Sequence, residues 1–203
     1  MPGPDGARGR CRRCFLGGLA GGGLGGALAT WLVRHWAGPP PPPPEVTVAP
    51  FSELDHAAFM RRAIAQAREV PHLPFGAVLV RSATGEVLAE GHNRSAASPT
   101  FHGEIDVINR LAAGQPKVDW GALVLYTTAG PCPMCQSAVA WAGIPWVVYG
   151  SSTPFLQGLG WWQNDIRAGE VARRTPFRRT AVLGDVLAKE CDALFEAAPR
   201  RPG

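Results

Sequence analysis

Cysteine is scarce in this sequence, with five residues in a chain of 203. Small secreted domains that depend on disulfides are much richer in cysteine, so a disulfide framework is excluded. Internal repeats are also absent from the sequence, which excludes an architecture of stacked repeats. The length suits one domain of ordinary size, and 46% hydrophobic residues are enough to build its core.

The chain also lacks an excess of positive charge outside its N-terminal segment. Five arginines against one aspartate in residues 1–37 account for the net charge of +4, and residues 38–203 hold fifteen basic and fifteen acidic residues. Proteins that grip a nucleic-acid backbone usually carry a basic patch. One local cluster, interpreted either as a solvated face or as such a patch, consists of Arg173, Arg174, Arg178 and Arg179. The balanced charge therefore argues against a tRNA or DNA substrate.

Two short motifs contain the residues suited to metal-dependent chemistry, Phe101-His102-Gly103-Glu104 and Pro131-Cys132-Pro133-Met134-Cys135. Cys132 and Cys135 are expected in the first turn of a helix, where both sulfurs project to one side and the helix dipole favours thiolates. One histidine and two cysteines would hold zinc with three protein ligands and leave a fourth position for water. Glu104 is the candidate proton shuttle between that water and a leaving amine.

A closed structural zinc site is the alternative interpretation of these residues. It would need a fourth protein ligand, and the sequence offers none that is placed like the other three. His92 is the nearest competitor and is interpreted as a strand-end or core histidine. A second C-x-x-C, formed by Cys11 and Cys14, lies inside a candidate export signal. The pattern therefore favours an open, catalytic zinc site.

The two motifs resemble those of the cytidine and deoxycytidylate deaminase superfamily, whose zinc-dependent members carry H-x-E and P-C-x-x-C. The run from Pro131 to Cys135 is most similar to the guanine deaminase and bacterial tRNA adenosine deaminase branch. The similarity extends from about Phe59 to about Gly150. It implies zinc bound by the histidine and the two cysteines, with Glu104 as proton shuttle.

The resemblance also implies a base pocket lined by Asn93 and by the segment from Phe75 to Ala77. Phe101 adjoins a metal ligand and is expected to form a wall of the site. For Asn93, closing a turn with the next two residues is the alternative. Trp161 and Trp162 either stack on a base or pack in the core or in a dimer interface.

Three positions depart from the pattern of these relatives. Gly130 stands where many of them carry a glutamate, and Phe101 and Gly103 replace the small alanines usual around the histidine. None of these changes removes a metal ligand. We expect them to affect which base edge the site accepts.

Alternating strand and helix patterns predict an α/β sheet with helices on both faces. The expected elements are helix 57–69, strands 76–80 and 86–91, helix 102–113, strand 122–126, helix 132–142, strand 145–149, a loop over 151–162 and a closing helix 185–198 with Cys191 buried on it. The family resemblance implies a three-layer αβα sandwich around a central mixed sheet.

The N-terminal segment, residues 1–37, has the features of an export signal. Four arginines precede a glycine-rich apolar run, Leu16–Val33, and the sequence Arg12-Arg13-Cys14-Phe15-Leu16 resembles a twin-arginine motif. Uncleaved, this run would span about 27 Å as a helix, so a membrane anchor through residues 16–33 is the alternative. We expect an exported, periplasmic or membrane-anchored protein, or a cytoplasmic one if the segment is a tail without a targeting role.

Residues 38–45 form a proline-rich linker, in which six consecutive prolines favour a polyproline II rod of about 19 Å. The catalytic domain is therefore expected over residues 46–203. We predict a zinc-dependent hydrolase that deaminates a nucleobase or nucleoside and releases ammonia, with guanine ahead of cytosine-type and adenine-type compounds. A deaminase acting on tRNA or other nucleic acid and a non-catalytic zinc-binding protein are the alternatives. Relatives are usually dimers or larger, which implies a homodimer.

Overall fold

Strands that are buried on both faces form the centre of the molecule. The computed structural model describes residues 53–115 and 117–199. The strands of these residues are β1 (Gly76–Arg81), β2 (Val87–His92), β3 (Leu123–Ala129), β4 (Trp146–Ser151) and β5 (Ala181–Leu183). The α-helices are α1 (His56–Arg68), α2 (Gly103–Gly114), α3 (Pro133–Ala142), α4 (Thr153–Gly158), α5 (Ala168–Arg173) and α6 (Ala188–Ala197).

The five strands form one mixed sheet in the order β2-β1-β3-β4-β5. β1 is antiparallel to both of its neighbours, whereas β3 pairs in parallel with β4 and β4 with β5. The carboxyl ends of β2, β3 and β4 therefore lie at the same edge of the sheet as the beginning of β1. The two metal-binding motifs follow β2 and β3 along the chain, so the topology brings them to this edge, where open α/β sheets bind ligands.

Helices cover both faces of the sheet, because its strands are apolar on both sides. One core cluster joins one face to α1 and α6 and includes Met60, Ile64, Val78, Val124, Val148 and Cys191. A second cluster joins the opposite face to α2 and α3 and includes Leu79, Val107, Leu111, Leu125 and Val139. The predicted three-layer α/β fold with a central mixed sheet is confirmed, and Cys191 is buried on the last helix as expected.

Local signals set the helix ends close to their predicted positions. Asp55 caps α1 by accepting a hydrogen bond from the backbone N–H of Ala58 at 2.9 Å. Gly143 ends α3 in the left-handed conformation with φ of 87°, which glycine adopts at little cost. The predicted helix 132–142 therefore differs from α3 only in its first residue, because Cys132 is the N-cap.

The chain after β4 differs from the prediction in three ways. The expected loop 151–162 contains α4, whose N-cap Ser152 accepts a hydrogen bond from the Phe155 N–H. The prediction missed α5 and β5, since six-residue and three-residue elements are too short to show a periodic pattern. The closing helix begins at Ala188 rather than 185 because Asp185 and Leu187 have positive φ angles of 64° and 52°.

The export signal or anchor, the proline-rich linker and the start of the domain near residue 46 lie outside the described residues. They stay predictions, as do the twin-arginine motif and the C-x-x-C at Cys11 and Cys14. Among residues 53–115 and 117–199, no helix is both long enough and apolar enough to cross a membrane.

Candidate metal centre and active site

Two helix N-termini meet at the edge of the sheet and place the three candidate metal ligands. His102 is the N-cap of α2 and Cys132 is the N-cap of α3, with nearly equal ψ angles of 164° and 165°. Neither side chain forms a hydrogen bond that caps its own helix. Cys135 lies in the first turn of α3 and is buried. The backbone thus leaves the imidazole and both sulfurs available as ligands.

The donor atoms of these three residues are close enough to share one ion. One ligand atom from each of His102, Cys132 and Cys135 lies within 4.8 Å of the others. The Cys132 Sγ is 3.7 Å from the His102 Nδ1. Tetrahedral zinc with ordinary Zn–S and Zn–N bonds would separate sulfur and nitrogen ligands by about 3.6 Å. The donor set and its spacing therefore fit zinc with three protein ligands.

The pKa values of the two thiols shift in opposite directions, and that of Cys132 suits a metal ligand. A hydrogen bond from the Cys135 thiol, followed by one from His102, lowers the pKa of Cys132 to about 4. Donating that hydrogen bond and burial raise the pKa of Cys135. The hydrogen bond to Cys132 raises the pKa of His102. Cys132 is thus already a thiolate at neutral pH, the form in which cysteine binds metals.

Glu104 lies in the first turn of α2, two residues after His102, and its side chain is almost fully buried. Burial, with the negative charge of Cys132 as the next cause, raises the pKa of its carboxyl group. The Thr127 hydroxyl donates a hydrogen bond of 3.0 Å to the Glu104 Oε1. This contact from β3 fixes the carboxylate beside the metal ligands, in a site where a proton acceptor and donor is useful.

A cavity of about 370 Å³ opens beside this cluster. Its volume is within the range of small-molecule sites. The lining residues are Phe75, His102, Glu104, Gly130, Cys132, Trp162, Gln163 and Asn164. The cavity therefore contacts two of the three candidate ligands and the candidate proton shuttle.

The structure brings only one of the four predicted pocket residues to the cavity, Phe75. Asn93 is buried, and its Oδ1 accepts a hydrogen bond of 3.0 Å from the Ser95 N–H. This hydrogen bond forms the turn that was the alternative interpretation of Asn93. Ala77 is fully buried and belongs to the core cluster that joins the sheet to α2 and α3. Phe101 is not among the lining residues. Substrate contacts by these residues stay predictions.

Trp161 and Trp162 have different surroundings despite being neighbours. The Trp161 ring packs edge-on against Phe75 and Phe195, with ring centroids 5.6 and 5.5 Å apart. Trp162 lines the cavity and is 90% exposed. Core packing therefore accounts for the first tryptophan but not for the second.

His92 is not part of the metal cluster. Within residues 53–115 and 117–199, the one group of three histidine, cysteine or acidic side chains close enough to hold an ion is His102, Cys132 and Cys135. His92 ends β2 as the strand-end interpretation predicts. No fourth protein donor thus closes the cluster in this part of the chain.

Two of the glycines that depart from the family pattern have different steric freedom. A Cβ atom at residue 103 would lie 2.7 Å from the backbone oxygen of Phe75, so an alanine there requires the start of β1 to shift. A Cβ at residue 130 would lie 3.3 Å from the Thr153 Oγ1 and 3.7 Å from the Tyr149 ring. Gly103 therefore permits close packing of α2 against the start of β1. A Cβ atom at residue 130 would be crowded only moderately by its neighbours.

Sequence reasoning missed Thr127, Gln163 and Asn164. Thr127 stands five residues before Cys132 in an apolar strand, where a buried hydroxyl was a usable signal. The segment with Gln163 and Asn164 has no periodic pattern, but it follows β4, whose carboxyl end lies at the same edge of the sheet as the motifs.

Comparisons with known proteins agree with this geometry. The family model described as the cytidine and deoxycytidylate deaminase zinc-binding region matches residues 54–151. Guanine deaminase of Bacillus subtilis is 36% identical over 95 residues, which are 44% of this chain and 60% of that protein. The chain thus spans less than two thirds of the length of this relative.

Two further matches concern proteins that act on tRNA. A tRNA-specific adenosine deaminase of Streptococcus pyogenes is 34% identical over 116 residues, which are 54% of this chain and 70% of that protein. A solved structure from a study of adenosine-to-inosine editing by tRNA deaminases at the wobble position is 26% identical, with a TM-score of 0.58. The match covers 68% of this chain and 98% of that chain.

Proposed function

The chain belongs to the zinc-binding cytidine and deoxycytidylate deaminase family, and from this premise we propose that it catalyses the hydrolytic deamination of a free nucleobase or nucleoside. The observation that carries the proposal is the cavity in which Glu104 lies beside His102 and Cys132. A non-catalytic zinc protein has no use for a buried carboxylate that faces a cavity next to its metal ligands. Guanine is our first candidate, because the sequence is similar to that of guanine deaminase.

In the proposed mechanism His102, Cys132 and Cys135 hold zinc through one nitrogen and two sulfurs. When bound, zinc acts as a Lewis acid and lowers the pKa of water, so that a strong nucleophile is available at neutral pH. Glu104 accepts a proton from the attacking water and passes it to the ring nitrogen next to the amine-bearing carbon. It then transfers the second water proton to the amine as the carbon–nitrogen bond breaks, so ammonia leaves and a carbonyl forms. Burial raises the pKa of Glu104, which helps it both to take and to return a proton.

Charge supports a small, uncharged substrate. Among residues 53–115 and 117–199, the lining of the cavity includes neither lysine nor arginine, so no lining side chain of these residues would neutralise a phosphate. The balance of basic and acidic residues over 38–203 argues in the same direction. Gly130, where many relatives carry a glutamate, leaves the cavity without a second carboxylate beside Glu104.

A tRNA adenosine deaminase is the second candidate, and it is favoured by the identity of 34% to such an enzyme. One surface would suit a polyanion with unpaired bases. Trp141 is 75% exposed and packs against Phe177, with ring centroids 4.6 Å apart. Four exposed arginines lie within four positions of Phe177 in the sequence, Arg173, Arg174, Arg178 and Arg179. This surface is at the carboxyl end of α3, whereas the metal ligands are at its amino end, so the second candidate ranks below the first.

The test compares guanine, adenine, cytosine, their nucleosides and a tRNA anticodon stem-loop as substrates of the full-length, zinc-loaded protein. We expect ammonia release from at least one base or nucleoside, with a kcat/KM that changes little between 50 and 200 mM salt. Activity confined to the stem-loop, weakening about 10³-fold or more with that change in salt, would reject the proposal and support the tRNA candidate. Zinc-loaded protein that releases no ammonia from any of these compounds rejects both.

Thr127→Val is expected to lower kcat about tenfold with little change in KM. The valine keeps the shape of the buried site but removes the hydroxyl that orients Glu104, and a hydrogen bond to a carboxylate has a free energy of about 1.5 kcal/mol or more. Thr127→Ser retains the hydroxyl and should stay within about threefold of the wild type. Steady-state kinetics and zinc analysis of both variants check this, and equal kcat values for the two variants would contradict the positioning role.

A further inference from the structure

The segment Trp162–Asn164, which we refer to as the recognition segment, completes the lining of the cavity. The other lining residues are the candidate ligands His102 and Cys132, the shuttle Glu104, Gly130 and Phe75. The ligands and the shuttle are committed to the metal and to proton transfer in the proposed function. Gly130 has no side chain, and Phe75 offers only an apolar ring. Within the described part of the chain, the lining groups left to distinguish one base from another therefore belong to the recognition segment.

Trp161 anchors this segment to the body of the protein. Its ring packs against Phe75 and Phe195, and its backbone N–H donates to the Leu156 oxygen at 3.0 Å. Gly160, with φ of 83°, provides the turn that leads from α4 into the segment. Because Phe75 also lines the cavity, the anchor fixes the recognition segment relative to one wall of the site.

Trp162 is the most exposed large hydrophobic side chain of residues 53–115 and 117–199, at 90%. An indole ring that stays in water does not contribute the stabilising free energy that burial of an aromatic side chain normally provides. Beside the cavity the exposed ring of Trp162 has a use, because a planar heterocycle can stack on an open indole face.

Gln163 and Asn164 provide neutral groups for the edge of the base. Each amide carries both a donor and an acceptor, so it can form paired hydrogen bonds with adjacent groups on a purine or pyrimidine. A carboxylate has acceptors only and would favour an edge with two donors. The two amides therefore select by the order of donor and acceptor rather than by charge.

We propose that Trp162 stacks on the ring of the substrate and that Gln163 and Asn164 pair with the edge that faces away from the metal. This inference rests on the proposed function and specifies its substrate site. The recognition segment binds an uncharged heterocycle, free or attached to a sugar, and sets its affinity. Proton transfer remains with Glu104.

The experiment separates binding from chemistry by using zinc-loaded Glu104→Gln protein, in which a bound base persists. Titration calorimetry measures the Kd of each base in this background, with and without Trp162→Ala. We expect the alanine change to raise Kd about tenfold and Trp162→Phe to raise it less than threefold, since phenylalanine retains a stacking face. In the protein with intact Glu104, Trp162→Ala should raise KM by a similar factor and change kcat less than threefold.

Leu183→Ala is the control, because Leu183 is also an exposed large hydrophobic residue but is not among the residues that line the cavity. It should leave Kd and KM unchanged. Gln163→Glu tests the edge contact and should alter the order of preference among guanine, adenine and cytosine by about tenfold in kcat/KM. Equal zinc contents and melting temperatures would exclude misfolding as the cause of any change.

The possible results distinguish the two proposals. If the wild type deaminates a base and Trp162→Ala leaves Kd and KM unaltered, the stacking role of Trp162 is rejected and the proposed function stands. If Gln163→Glu and Asn164→Leu both leave the preference among bases unchanged, the edge contact is rejected. If the zinc-loaded wild type neither binds nor deaminates any base or nucleoside, the proposed function fails, and the inference fails with it.

Discussion

Replacing Glu104 by glutamine is expected to reduce ammonia release about 10²- to 10⁴-fold, the usual contribution of a general acid and base. The amide has nearly the same size and can still accept the hydrogen bond from Thr127, but it cannot take a proton from water. Zinc content should be unchanged, because the ligand atoms belong to three other residues. Steady-state kinetics on the preferred base and metal analysis of the same preparation test both parts.

Glu86→Gln is the matched control for this prediction. Glu86 pairs with Arg81 at the exposed hairpin between β1 and β2 and is not a lining residue of the cavity. The control should retain the activity of the wild type. A Glu104→Gln protein with zinc and near-normal turnover would show that another group moves the protons, and the proposed mechanism would be wrong.

His102→Ala is expected to reduce zinc content to a small fraction of one ion per chain and to abolish turnover. The substitution removes the sole nitrogen donor, and two sulfurs at the start of α3 are a poor site for a metal that is held by at least three protein ligands. The fold should survive, since the ligand lies at a helix N-cap and its side chain does not cap the helix. Metal analysis after dialysis, together with circular dichroism, checks the result.

His72→Ala makes the same substitution at an exposed histidine and should keep both zinc and activity. Full zinc occupancy in His102→Ala would contradict the assigned ligand set. Zinc loss accompanied by unfolding would assign the metal a structural role in addition to the catalytic one. In that case the chain should also lose its fold when zinc is removed from the wild type by a chelator.

The sequence alone determined the candidate metal ligands and the outline of the fold. The three candidate ligands and the candidate proton shuttle lie in two short motifs, each of which also contains the signals that start a helix. The apolar strands alternate with helices, so a layered α/β fold follows from the order of the elements. These features are local, because helix caps, short spacings and hydrophobic periodicity each act over a few residues.

The tertiary structure alone decided which distant residues share the cavity. Thr127 reaches Glu104 across 23 positions of sequence because β3 and α2 meet at the sheet edge, and neither segment encodes that contact by itself. Asn93 closes a turn, although the family resemblance made it a candidate for the pocket. The recognition segment joins the site because Trp161 packs against Phe75, which precedes it by more than eighty positions. Such contacts depend on strand order and side-chain packing, which are properties of the whole folded chain and leave no periodic signal in sequence.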